Sequence, residues 1–427
     1  MNPMKPATVV VAGAFSKDEQ AYEHPHLLQN YRRAPVNIVR GEGCELIDDR
    51  GTRYLDFVAG IAVCALGHAH PKITEAIAKQ AATLVQASNL YHHEPAGALA
   101  NELARRSGLE RVFFCNSGAE ANEAAIKLAR KLAFRKGETE RRTILACRGS
   151  FHGRTFGALA ATDNPKYHEG FEPLPEGFAF TPFNDVAALE TAIDERVAAF
   201  LIEPIQGESG IHVADLEFLK AARRLCTERG ALLVFDEIQC GMGRLGTLFA
   251  FETFGVRPDV VTIAKSLSNG LPIGATLIDA AAASGLQPGD HGTTFGGSPV
   301  PCAAGVEHLR LRDEIKLDEH VRDVAPLLRA GLETLAGEFP QAFEPPRGDG
   351  LMLGLPVREP HDAKTFVDAA RVEQKFFVNA AGANTIRLVP PLIVSRDQIR
   401  DGLRRLRAAI QSVLAANAVA AQSRSVK

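Results

Sequence analysis

The sequence predicts an α/β chain on a mainly parallel sheet, with a smaller α+β unit beside it. Two observations predict this. Five short apolar runs (residues 112–114, 143–146, 198–202, 231–235 and 260–263) each end in polar residues, with helical stretches between them. The runs are apolar without alternation, as strands covered on both faces are. Polar residues at the strand ends matter, because open α/β sheets bind ligands outside the carboxyl ends of their strands.

Taken in order, the first 30 or so residues are mixed and expected to be partly loose. Ala12-Gly13-Ala14 resembles a cleavage site, but the apolar stretch before it is short and its start carries only Lys5. An ordinary N-terminus and a cytoplasmic location are expected. Residues 37–57 read as short antiparallel strands turning at Asp49-Arg50-Gly51. Pro71 suits a first helical position, and Ile73, Ile77, Ala81 and Leu84 continue at helical spacing. The strand–helix units follow, the first with a helix to about residue 135. Beyond residue 311, helices are expected at 321–339 and 396–416, with strands near 351–353 and 386–388. The Ala-rich tail 415–427 is expected to fray. The predicted division is an N-terminal segment 1–66 joined to the small domain, a large domain 67–310, and a C-terminal small domain 311–427.

The chain has 427 residues, 46% of them hydrophobic, ample for a large core. A formal net charge of −3 with interspersed signs argues against nucleic acid as partner. No apolar run nears the ~20 residues of a membrane helix. The seven cysteines are scattered, without a CxxC pair, and read as free thiols. His68, His70, His92, His93 and His152 lack metal-ligand spacing; they read as structural, and no metal is expected.

Three strand ends carry chemistry. Asn116-Ser117-Gly118-Ala119-Glu120 joins a strand to a helix, where N–H groups and the helix dipole favour an anion such as phosphate. Alone, an ordinary Ser117 N-cap explains it better. There is no GxGxxG dinucleotide fingerprint. Asp236 ends an apolar strand and needs a partner, either a protonated ring nitrogen or a structural cap or ion pair. Lys265 ends the next strand, 29 residues on, close enough in such a sheet to meet Asp236. A buried lysine there can lose its charge and act as a Schiff-base nucleophile. Together these are the groups that pyridoxal phosphate requires. Arg154 and Arg387 suit carboxylates, and either could equally be a surface arginine.

From about Tyr31 to Val394 the chain resembles the class III aminotransferases. The resemblance rests on YLDFVAGIAVCALGHAHP (54–71), SNLYHHEP (88–95), FFCNSGAEANEAAIKLAR (113–130), FHGRTFGALAAT (151–162), IEPIQGESG (202–210), LLVFDEIQCGMGRLG (232–246), DVVTIAKSLSNGLPIGA (259–275), HGTTFGGSP (291–299) and NTIRLVPPL (384–392). It implies the fold of type I pyridoxal 5'-phosphate enzymes, with a seven-stranded sheet, and a homodimer with its active site at the interface. It also implies roles. Ser117, Gly118 and Ala119 would hold the cofactor phosphate, with Thr294 of the partner subunit. Phe151 would stack on the ring, Asp236 pair with its nitrogen, Gln239 approach its hydroxyl, and Lys265 bond its aldehyde. Arg154 would take the carboxylate remote from the reacting amine. Glu208 would neutralise Arg387 for ω-amino donors and release it to grip glutamate's α-carboxylate.

Within the family, CNSGAEANE and FGGSP resemble the branch acting on N-acetylornithine, and Ile61 stands where ornithine enzymes carry tyrosine. The reaction implied is δ-amino transfer from N-acetylornithine to 2-oxoglutarate, in arginine biosynthesis. The competing donors are succinylornithine, 4-aminobutyrate, ornithine and a lysine precursor; an aminomutase is the competing class. Ser209 and Cys240 depart from the family's usual glycine and threonine or serine.

Overall fold

A computed structural model of the chain describes residues 26–425. Its centre is a seven-stranded sheet of β1 (Arg111–Cys115), β2 (Thr143–Cys147), β3 (Phe178–Thr181), β4 (Val197–Ile202), β5 (Leu232–Asp236), β6 (Val260–Ile263) and β7 (Gly274–Ile278). The spatial order is β1-β7-β6-β5-β4-β2-β3. Neighbours from β6 to β3 run parallel, while β7 is antiparallel to both β6 and β1. Every residue of β4, β6 and β7 is buried, as continuous apolar runs demand.

Strands β3 and β7 are the two elements that the five apolar runs did not predict, and β7 is the one that meets the turn after β1. It holds a Gly and two Thr or Ala positions rather than a strong apolar run. Its first residue explains itself: a Cβ on Gly274 would stand 2.4 Å from the Ser117 carbonyl. Only glycine lets β7 lie that close to the turn after β1.

The strands Ile38–Glu42, Glu45–Asp48 and Arg53–Asp56 form the expected antiparallel set. The third is extended by Phe376–Phe377, which runs parallel to it through Phe376–Leu55 and Phe377–Asp56 pairs. Phe57 packs edge-on against Phe376 at 4.9 Å, so both ends of the chain share one core. Four further strands, Arg347–Asp349, Met352–Pro356, Thr385–Leu388 and Asn379–Ala381, make an antiparallel sheet.

The C-terminal helices differ from expectation at their ends. One begins at Leu317, and the last runs Arg396–Ser425, so the expected fraying from 415 is not seen up to Ser425. Ile399, Leu406, Ala409, Ile410 and Val413 bury one stripe of it. Residues 1–25, with the Ala12-Gly13-Ala14 site, lie outside the described residues. Among the described residues no helix is long and apolar enough to cross a membrane, and all seven cysteines are free.

Candidate active site

The carboxyl ends of β4, β5 and β6 open into a cavity of about 460 Å³. It is lined by Ser117, Gly118, Ala119, Phe151, Arg154, Asp236, Gln239 and Lys265, so eight of the eleven expected site residues meet here. The sheet register brings them together. Strands β5 and β6 run side by side with Asp236 opposite Thr262, which places Lys265 just past the neighbouring strand end.

Asp236 is almost fully buried and tightly held. Its Oδ2 accepts from Asn122 Nδ2 at 2.7 Å and lies 2.7 Å from His152 Nδ1. Its Oδ1 accepts from the Ile238 N–H at 3.0 Å. Asn122 is itself oriented, accepting from Thr262 Oγ1 at 2.8 Å and donating to the His152 carbonyl at 2.8 Å. Such a network fixes the carboxylate before any ligand arrives.

Facing it is the start of helix Gly118–Arg135. Ser117 does cap this helix, accepting from the Glu120 N–H at 3.2 Å. Glu120 in turn accepts from the Asn116 N–H and Nδ2 at 2.7 and 2.8 Å. The cap and the anion reading are therefore compatible: the side chain is spent on the helix, and the Gly118 and Ala119 N–H groups have no intrahelical acceptor. A Cβ on Gly118 would strike Ile238 at 2.7 Å, so glycine is required for this close approach.

Lys265 lines the same cavity, at the start of a short 3₁₀ turn, Lys265–Ser268. Burial pulls its amine below the ordinary lysine range; Glu208 opposes this and Arg387 reinforces it. The shift moves the amine toward its neutral, nucleophilic form relative to an ordinary lysine.

Glu203, which the sequence reading passed over, is buried at the end of β4 on the cavity wall. It accepts from Phe151 N–H at 2.8 Å and Gly207 N–H at 3.3 Å. Burial, then the neighbouring Asp236, push its carboxyl well above the usual range, while the Phe151 and Gly207 N–H groups oppose the shift. His152, read as structural, helps Asn122 to orient Asp236. Its Nε2 is buried without a partner.

The two arginines are in opposite states. Arg154 is exposed on the cavity wall and makes no hydrogen bond or ion pair among the described residues; its Cζ lies 3.5 Å from the Tyr167 ring centroid. Arg387 is 1% exposed and does not reach the wall. Its Nη1 donates to Glu208 Oε1 at 2.5 Å and Gln239 Oε1 at 3.1 Å, and Gln239 Nε2 donates to Glu208 Oε1 at 3.0 Å. Burial raises the Glu208 carboxyl, but Arg387 and Lys265 outweigh it and hold it below its ordinary value. Glu208 lines a second hollow of about 450 Å³ that shares Phe151 with the first. Thr294 is not at the cavity of its own chain; it is exposed, and its carbonyl accepts from Gln86 Nε2 at 2.9 Å.

The family profile "Aminotransferase class-III" matches residues 27–410. The chain is 47% identical to the acetylornithine aminotransferase of Methanocaldococcus jannaschii over 88% of its own length and 94% of that protein's. It is 47% identical to the acetylornithine aminotransferase of Agrobacterium fabrum, over 92% and 98%. Among solved structures, the N-acetylornithine aminotransferase of Stenotrophomonas maltophilia K279a superposes with a TM-score of 0.79 at 40% identity, over 90% and 98% of the two chains. The ornithine aminotransferase of Toxoplasma gondii ME49 gives 0.87 at 34% identity, over 91% and 93%.

Proposed function

The chain belongs to the class III aminotransferase family, and from that premise we propose that it moves the δ-amino group of N-acetylornithine to 2-oxoglutarate, giving N-acetylglutamate 5-semialdehyde and glutamate. Its cofactor is pyridoxal 5'-phosphate. The residues present fit that group: a fixed carboxylate, a helix N-terminus at glycine, and a lysine amine line one cavity. When bound, the cofactor supplies an electron sink that lets the proton leave the carbon bearing the reacting amine.

The chain's own residues do the rest. Asp236 would hold the ring nitrogen, kept in place by Asn122 and His152. The N–H groups of Gly118 and Ala119 with Ser117 would hold the phosphate, joined by Thr294 of the partner subunit in a homodimer. Phe151 would cover the ring, and Gln239 would approach its hydroxyl. Lys265 would bond the aldehyde and, once freed, move the proton at Nζ. Its lowered proton affinity raises the share of neutral amine available as base. Arg154 would take the remote carboxylate, and Glu208 would screen Arg387 until glutamate or 2-oxoglutarate needs it. The same reading makes the enzyme cytoplasmic, assigns it to arginine biosynthesis, and divides the chain at 1–66, 67–310 and 311–427.

One observation carries the reading of a monocarboxylate donor and a dicarboxylate acceptor: Arg154 makes no ion pair among the described residues while Arg387 is already neutralised by Glu208, and the choice of N-acetylornithine among monocarboxylates rests on the relatives. A pocket with one free cation suits a donor with one carboxylate, and unlocking the second suits a dicarboxylate. Ornithine is the competing donor, given the structural likeness to the Toxoplasma enzyme. Purified enzyme should be assayed with N-acetylornithine, ornithine, succinylornithine and 4-aminobutyrate, each with 2-oxoglutarate. We expect kcat/KM to favour N-acetylornithine by about tenfold or more. A larger value for 4-aminobutyrate or ornithine would overturn the choice, and turnover without 2-oxoglutarate would indicate an aminomutase.

A further inference from the structure

Arg154 has an unusual environment for an exposed arginine on a cavity wall. It has no acceptor among the described residues, yet it is held against aromatic rings. Its Cζ is 3.5 Å from the Tyr167 centroid and 5.7 Å from that of Phe151. The 3.5 Å separation is van der Waals contact, which a guanidinium reaches over a ring centre by stacking flat. Stacking covers the face of the group and leaves its edge N–H donors free, in the plane where a carboxylate bonds in bidentate fashion.

Tyr167 is itself well anchored. It lies in the short helix Pro165–His168, whose Asn164 cap accepts from the Lys166 N–H at 3.2 Å. The Tyr167 N–H donates to the Asn164 carbonyl at 2.8 Å. The next residue, His168, ties the helix back through Nε2 to the carbonyls of Thr162 at 2.7 Å and Leu159 at 3.0 Å. Phe151 meets the Tyr167 ring edge-on, at 6.1 Å and 83°. The Tyr167 hydroxyl makes no hydrogen bond among the described residues, so the structure uses the ring and not the phenol.

We propose that Tyr167 is a specificity-determining positioning residue: its ring presents the Arg154 guanidinium edge-first to the cavity, so that the enzyme selects donors with a carboxylate remote from the reacting amine. Left to itself, an unpaired arginine samples many rotamers, and binding would have to freeze them. The stack removes that cost before the donor arrives. This inference rests on the reading of Arg154 as the carboxylate-binding residue.

The test compares N-acetylornithine with N-acetylputrescine, the same molecule without its carboxylate. Holoenzyme carrying Tyr167→Leu should show a KM for N-acetylornithine raised about tenfold relative to that for N-acetylputrescine, with the kcat ratio little changed. Tyr167→Phe, which keeps the ring, should restore the wild-type preference. Inhibition constants for the amine-free analogues N-acetylnorvaline and N-butylacetamide give the same comparison without turnover. Equal losses for both members of a pair, no loss, or a Phe variant as poor as Leu would overturn the proposal. Arg154→Ala separates the two levels. If it leaves the preference intact, the Arg154 reading fails. If it abolishes the preference while Tyr167→Leu does not, only the role of Tyr167 fails.

Discussion

On one wall of the cavity, Asp236 ends a regular parallel strand and Lys265 follows the neighbouring strand by two residues, so the sheet register sets most of their spacing. On another part of the wall, Val63 is carried by a turn that no regular element would produce. Ala59, Gly60, Ile61 and Ala62 all have positive φ, from 51° to 66°. A left-handed turn costs about 1–2 kcal/mol for each non-glycine residue, so this turn persists only because other groups hold it. Buried Asp56 does so at one end, accepting from the N–H groups of Val58 at 2.8 Å and Ala59 at 3.1 Å. His68 Nε2 lies 2.7 Å from its other oxygen. At the far end, Ser266 Oγ donates to the Ala62 carbonyl at 2.7 Å, and Asn269 Oδ1 accepts from the Leu66 N–H at 2.7 Å. Ser266 lies within the turn that begins with Lys265, and Asn269 follows it. One wall is placed by periodic structure, and the other by a clamp of polar side chains.

The first wall should therefore tolerate loss of its chemistry without loss of fold. Lys265→Ala is expected to cut kcat by roughly 10²–10⁴-fold or more, the largest effect proposed here. The amine makes no hydrogen bond or ion pair among the described residues, so the urea midpoint should change little. A large fall in that midpoint would show that this wall, too, depends on side-chain ties.

The second wall should respond through stability. Burial alone would lower the proton affinity of His68. The hydrogen bonds to Asp56 and Cys64 outweigh it and raise the pKa from 6.5 to about 9. A raised histidine stabilises the fold fully below pH 6.5, and the benefit fades as pH rises through about 9. The shift corresponds to about 3 kcal/mol. Unfolding free energy should fall by that order between pH 6.5 and 9, and Asp56→Asn should flatten the dependence. If Asp56→Asn keeps the wild-type slope, the clamp is elsewhere.

The same contrast decides what the sequence reveals. Asp236, Lys265 and Ser117 were legible because each ends or follows an apolar run, and the strand–helix repeat says which ends meet. Asn122 and His152 were not, because their roles exist only through Asp236, which is distant in the chain. Glu203 stood in plain view after β4, but its raised proton affinity depends on burial beside Asp236. The pairing of Phe376–Phe377 with Leu55 and Asp56 crosses nearly the whole chain and leaves no local pattern. The left-handed turn is the hardest case: Ala-Gly-Ile-Ala has no turn signature, and Ile61 is among the residues least suited to positive φ.

That last mismatch can be measured. Ile61 is 38% exposed, so its side chain contributes modest burial while its backbone sits at φ 65°. Ile61→Gly should relieve about 1–2 kcal/mol of backbone cost, offset in part by the greater freedom of glycine in the unfolded chain. A net gain of about 0.5–1 kcal/mol in urea unfolding is expected. Gly60→Ala is the opposite control. Its φ is 66°, and the added Cβ would lie 3.4 Å from Val63 Cβ, so it should destabilise by about 1–2 kcal/mol. If both variants lose stability alike, side-chain packing and not backbone strain governs the turn, and the contrast between the two walls would rest on the Asp56–His68 pair alone.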